Sequence, residues 1–223
     1  MWYHRSVEYE LIRTKRKTIA IYIREHGVEV RAPKWATVSD IDAFVVSKIR
    51  WIGKHLEEQA KSNLRKSAFR LDYGSVVQYM GREYVIGSVP GENIIYVPPG
   101  LDRDRLLKKI IAFYKEEARR HINERVLYFD NLLNASPYSV RIGSAKRSWG
   151  SCTSPGRLAF SWRLMMAPPE AIDYVVAHEL AHLKQMNHSP KFWAVVGSVL
   201  PDWKERRKTL RLLQKRLENE KWD

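Results

Sequence analysis

A single cysteine, Cys152, is all that this chain of 223 residues contains, so no internal disulfide can form. That excludes a small scaffold held together by staples and points to a reducing compartment. Long apolar runs are missing as well. None approaches the roughly 18 residues that would cross a bilayer, and the start, Met1-Trp2-Tyr3-His4-Arg5-Ser6-Val7-Glu8, carries no apolar signal core. The expectation is a cytoplasmic protein with no membrane partner. Internal repeats and low-complexity tracts are absent. Acidic residues are scarce beside basic ones, 25 Asp and Glu against 39 Lys and Arg, which leaves a formal charge of +14. What is present in quantity is apolar mass: 44% of the residues are hydrophobic, enough for a sizeable core and too many for a disordered tail.

The excess positive charge raises the question of a phosphate-rich partner. Basic clusters occur at Arg13-Thr14-Lys15-Arg16-Lys17, around Lys108-Lys109, at Lys146-Arg147 and from Lys204 to Arg216. The last is interleaved with Leu210, Leu213 and Leu217 and reads as the solvated face of a helix. A nucleic-acid surface is the less favoured reading.

Alternating patterns around Val7–Leu11, Ile19–Ile23 and Val28–Val30 predict strands. Ser39 with Asp42 reads as a capping box opening a helix through Ile41, Val45, Ile49, Ile52 and Leu56. The polar stretch Lys61–Arg70 reads as a connection. Further short strands are expected at Val76–Tyr79, Tyr84–Ile86 and Ile94–Val97, before Pro98-Pro99-Gly100 breaks the pattern. The boundary is placed there, giving an N-terminal region 1–100 and a second region 101–223. The latter opens with a long helix whose apolar stripe runs from Leu106 to Leu133, capped by Asp102. Strands follow at Val140–Ile142 and Leu158–Trp162. Next come a helix from Glu170 to about Met186, a helix capped by Ser189-Pro190, and a last segment after Pro201.

One segment concentrates chemistry: Val175-Val176-Ala177-His178-Glu179-Leu180-Ala181-His182. On a helix, His178 and His182 leave the same face one turn apart, so both imidazoles can meet one metal ion at about 2.0–2.1 Å. Glu179 sits beside the first, placed to reach a metal-bound water without ligating. This is the HExxH zincin pattern. A third histidine, His188, lies beyond the helix; a left-handed Asn187 could end the helix and turn His188 back toward the same ion. Three neutral imidazoles would leave a zinc ion with an open position. Glu179 would then serve as proton acceptor and donor for hydrolysis at a carbonyl or a phosphoryl centre. The His182–His188 spacing matches metzincins, but Gln185 stands where those carry glycine and no methionine follows His188, so that subclass is rejected.

The wider block resembles a known family. Arg147-Ser148-Trp149-Gly150-Ser151-Cys152, Ser161-Trp162-Arg163-Leu164-Met165-Met166-Ala167-Pro168, Tyr174 to His182, and Asn187-His188-Ser189-Pro190-Lys191-Phe192-Trp193 are similar to the bacterial YgjP-like metal-dependent hydrolases, relatives of SprT-like and minimal gluzincin peptidases. The resemblance implies an α+β fold, with a zincin-like metallopeptidase core around the HExxH helix preceded by a mostly β N-terminal region. It implies His178, His182 and His188 as ligands of one Zn²⁺ per chain, and Glu179 as general base. Some members of the family are associated with nucleotide hydrolysis.

Around this centre, Trp149 to Cys152, Ser151 included, could form a cleft edge that pairs with an extended substrate. Arg147 and Arg163, with Lys146, could bind phosphate or carboxylate. Cys152 reads as a small buried hydrophobe, and Phe192 and Trp193 as core behind His188. His4, His26, His55 and His121 lack ligand-like spacing. The leading expectation is a zinc hydrolase acting on a peptide bond. The alternatives are a metal-dependent nucleoside triphosphate pyrophosphatase and a nucleic-acid-binding module with structural zinc, the latter disfavoured by Glu179.

Overall fold

The computed structural model describes residues 7–222, so His4 lies outside the described residues. The chain divides between Ala68 and Phe69 into two compact units. In the first, β1 (Tyr9–Thr14), β2 (Ala20–Arg24) and β3 (Gly27–Pro33) form a sheet in the order β1-β3-β2, with β3 parallel to β1 and antiparallel to β2. Val28, Val30 and Ala32 of β3 pack with Ile41, Val45 and Ile52. Helix α1 (Val38–Ser47) opens at Thr37 rather than Ser39. The Thr37 side chain accepts from the Asp40 amide and Asp40 returns the bond to Thr37, so the capping box sits two residues earlier than expected. Lys48 then leaves the helical conformation, and the single expected helix becomes two, with α2 running over Ile49–Ala68. The supposed connection from Lys61 is therefore mostly helical. Its Lys, Leu, Arg and Ala residues are strong helix formers, and Lys61 pairs with Glu57 one turn back at 2.6 Å.

The second unit begins with β4 (Val76–Tyr79), β5 (Arg82–Gly87) and β6 (Ile94–Tyr96), in sheet order β4-β5-β6. Their buried Val77, Ile86 and Ile95 share one core with Leu106, Ile110 and Tyr114 of α3 (Arg103–Leu133). Pro98-Pro99-Gly100 is thus the turn between β6 and α3, inside a unit, and the compact boundary lies at 68/69 instead. Asp102 caps α3 as expected, and Asn134 ends it in the left-handed conformation. Tyr114 is wholly buried; its hydroxyl donates to Gln78 O at 2.6 Å, and burial pushes its phenol upward.

A third sheet, β7 (Ser139–Gly143), β8 (Gly150–Cys152) and β9 (Arg157–Ser161), has the order β7-β9-β8, which leaves β8 at an edge. A 3-10 segment (Trp162–Met166) leads to α4 (Pro169–Ala181), α5 (Pro190–Val199) and α6 (Trp203–Leu217). Gly81, in the β4–β5 turn at φ +74°, abuts the start of α4 so closely that an added Cβ would lie 2.7 Å from Pro168 Cβ. With Met80 N donating to Met165 O at 2.8 Å, that contact fixes where α4 begins. Among the described residues no helix is long and apolar enough to cross a membrane.

Candidate active site

Helix α4 is buried on nearly every side, from Ala171 and Ile172 through Leu180 and Ala181, which makes it a central rather than a surface helix. The four-residue spacing brings the His178 and His182 rings to 4.9 Å between centroids. The helix ends at Ala181, earlier than the expected Met186. Leu183 N turns to Leu180 O at 3.0 Å, and Lys184 N and Gln185 N both reach Ala181 O. These short bonds satisfy the last carbonyls and swing the chain off the helix axis. Asn187 keeps an ordinary φ, so no left-handed residue is needed. The tightened turn does that work and delivers His188, whose Nε2 lies 3.1 Å from His178 Nε2. Phe192, fully buried on α5, touches all three imidazoles at 4.6–4.8 Å between centroids. Trp193 stacks on His188 on one side and on Trp203 of α6 on the other.

Burial, helped by the neighbouring His182, His188 and Arg207, pushes His178 down to about 3. Burial, then His188, lowers His182 as well. Both rings are therefore neutral at pH 7 with a lone pair to offer. Glu179 is only 6% exposed, and no cation pairs with it among the described residues. Burial alone pushes its carboxyl up to about 7. The side chain lies against β8, where a Cβ on Gly150 would fall 2.7 Å from Glu179 Oε1 and Cγ. Only glycine leaves that space. Tyr174 Oη lies 3.5 Å from His178 Nδ1, the ring nitrogen turned away from His188.

Residues 17–212 match the YgjP-like metallopeptidase domain. The chain belongs to the YgjP-like metallopeptidase family. It is accordingly a metal-dependent hydrolase with a zincin-like core. It is also similar to the metallopeptidase zymogen of Pyrococcus abyssi abylysin, at 27% identity over 42% of this chain and 93% of that one, with a TM-score of 0.38. No curated protein matches it. A YgjP-like metallopeptidase implies a metal, and the donors here suit one: a ligand nitrogen from each of His178, His182 and His188 lies within 4.8 Å of the others. The 3.1 Å between two of them is close to the spacing of about 3.3 Å between ligands around a tetrahedral zinc.

The remaining residues singled out from the sequence separate into two groups. Arg147 and Trp149 line a cleft of about 620 Å³ that runs from His178 and Glu179 between the approach to β8 and helix α6. Ser151 is exposed on β8 but does not line that cleft. Arg163 is a correction to the expected anion ligand. It is buried, donates to Ser144 O at 2.9 Å, and lays its guanidinium over Trp162 at 4.4 Å, away from the cleft. Cys152 is half-buried on β8 and outside the histidine cluster; burial, then Glu179, raises its thiol. Sequence reasoning missed Gly150, Tyr174 and Arg207 as parts of this YgjP-like site. The available signals were a glycine opening an edge strand and a tyrosine one turn before the first histidine.

Proposed function

We propose that the protein is a zinc-dependent peptidase in which His178, His182 and His188 hold the ion and Glu179 moves the protons. One observation carries this reading. A buried carboxylate with no cationic partner among the described residues lies against the glycine of a sheet edge, on the helix that carries two of the three clustered imidazoles. A structural zinc site has no use for such a group, because leaving a carboxylate unpaired in the interior is costly. When bound, a zinc ion supplies Lewis acidity, polarising a carbonyl and lowering the pKa of a coordinated water to about 7.

The chain's own residues supply the rest. Among the described residues strand β8 pairs only with β9, so its outer edge can take an extended peptide by main-chain hydrogen bonding. That would set the scissile carbonyl beside Glu179. The carboxylate accepts the proton of the attacking water and later donates it to the departing amine nitrogen. Gly150 holds the carboxylate in place by leaving it room, and Tyr174 steadies His178 from behind. The nucleotide reading loses one of its expected phosphate ligands, since Arg163 is committed to Ser144 and Trp162. A cytoplasmic setting belongs to this reading and rests on the single cysteine.

The test is Glu179→Gln in zinc-loaded protein with unfolded polypeptide as substrate. Zinc content should stay at about one per chain while turnover falls about 10²–10⁴-fold, the usual cost of losing a general base. Near-normal turnover in that variant overturns the assignment of Glu179. Release of pyrophosphate from a nucleoside triphosphate, with polypeptides left intact, overturns the peptidase reading.

A further inference from the structure

The cleft beside Glu179 is lined by four cations. Arg207, Arg211 and Lys215 follow one another at intervals of one helical turn, so α6 presents them as a single stripe along one wall. Arg147 faces the same space from the approach to β8, an element remote in sequence. None of these cations forms an ion pair among the described residues. The other two arginines of α6 are paired instead. Arg206 pairs with Asp202 at 2.8 Å and approaches Asp173 at 4.0 Å, and Arg216 pairs with Glu220 at 3.4 Å. Among the described residues, Glu218 is the only acidic one lining the cleft besides Glu179. Among the described residues α6 thus pairs its arginines with carboxylates where they lie outside the cleft and leaves Arg207, Arg211 and Lys215 without one where they line it, Arg207 lying 5.6 Å over the Trp193 ring.

We infer that this wall is a specificity subsite for acidic peptide segments: Arg147, Arg207, Arg211 and Lys215 bind Asp and Glu side chains of the substrate flanking the bond to be cut. The inference rests on the peptidase reading above. A peptide added to the edge of β8 would run past the Arg147 end of the cleft, and carboxylate side chains on it would meet guanidinium groups able to grip them in pairs. The stripe is exposed at Arg211 and Lys215, so its attraction is long-range and salt-sensitive.

Two measurements on the full-length, zinc-loaded protein keep the two readings apart. The first is binding of fluorescein-labelled peptides to Glu179→Gln protein, comparing an Asp/Glu-rich peptide with a neutral one of equal length. The acidic peptide should bind about tenfold more tightly at low salt. That advantage should vanish in Arg211→Glu/Lys215→Glu and shrink in concentrated salt, while Lys208→Glu, an exposed change outside the cleft, keeps it. The second is cleavage of the same peptides by the unaltered protein, where kcat/KM should show the same preference. Equal binding of acidic and neutral peptides overturns the subsite, even if both are cleaved. Selective binding without any cleavage leaves the subsite standing and removes the peptidase reading. If inorganic triphosphate binds through Arg211 and Lys215 while the acidic peptide does not, the subsite belongs to phosphate and this proposal is wrong.

Discussion

Two groups of ligand-type side chains occur among the described residues, and they differ in what surrounds them. His178, His182 and His188 gather in the second unit; Glu10, His26 and Glu29 gather in the first. By distance alone either could hold an ion. In the second unit, however, burial keeps His178 and His182 uncharged, and all three imidazoles pack on Phe192 with no carboxylate paired to them among the described residues. In the first, Glu29 is already bonded to Arg31 at 2.7 Å and Arg24 at 3.3 Å, and His26 lies 3.5 Å from Glu10. A cation arriving there would meet two guanidinium groups. Proximity of donors is therefore a poor criterion by itself; a metal needs donors whose charge is not yet spoken for.

The sharpest test of that contrast is metal content. His188→Ala should lower zinc affinity by more than about 100-fold, since losing a ligand costs more than losing a residue that merely orients one. His26→Ala should leave about one zinc per chain. If His26→Ala halves the zinc content of a protein that carries two, the first cluster is a real site and the charge argument fails. A smaller effect is expected from Gly150→Ala. The new methyl group would have to displace Glu179, and a shift near 1 Å at a reacting group costs about 10²-fold in turnover. Zinc content should not change. Unaltered turnover there would mean that Glu179 tolerates a different position, and that the close approach of β8 has no part in the chemistry.

The histidine trio and its glutamate were legible in the sequence because the helical period fixes the His178–His182 geometry. His188 was legible as a candidate, but its route was not. The turn after Ala181 is made by backbone bonds that no residue type announces, and Asn187 drew attention that the turn did not need. Arg163 misled for a different reason. An arginine near a site in sequence reads as an anion ligand, and only tertiary packing shows its guanidinium committed to Ser144 O and Trp162. In sequence the cations of α6 form a charge run with the pattern of a solvated face. Which of them are neutralised depends on Asp173, Asp202 and Glu220, whose places relative to α6 are set by the fold. The boundary at Pro98–Gly100 was plausible locally, yet β4–β6 bury their apolar faces against α3, and a core shared across a proline turn leaves no mark in composition.

The smallest expected effect concerns the first cluster again, through acid. Burial raises the Glu29 carboxyl, but its hydrogen bonds from Arg24 and Arg31 outweigh that and hold it below its ordinary value of 4.5. A carboxyl whose folded pKa is depressed adds stability above its unfolded pKa, and that contribution disappears as pH falls through the folded value. The first unit should therefore weaken below pH of about 4.5, read as loss of amide-exchange protection in β2 and β3. In Glu29→Gln the weakening over this window should be shallower, with protection already reduced at neutral pH. Added zinc should leave the acid response of the unaltered protein unchanged, because the arginines already occupy the carboxylate. An identical acid response in both proteins would show that the pairing contributes nothing. Zinc protection of β2 and β3 would show instead that Glu29 is released to a metal, and the contrast between the two clusters would collapse.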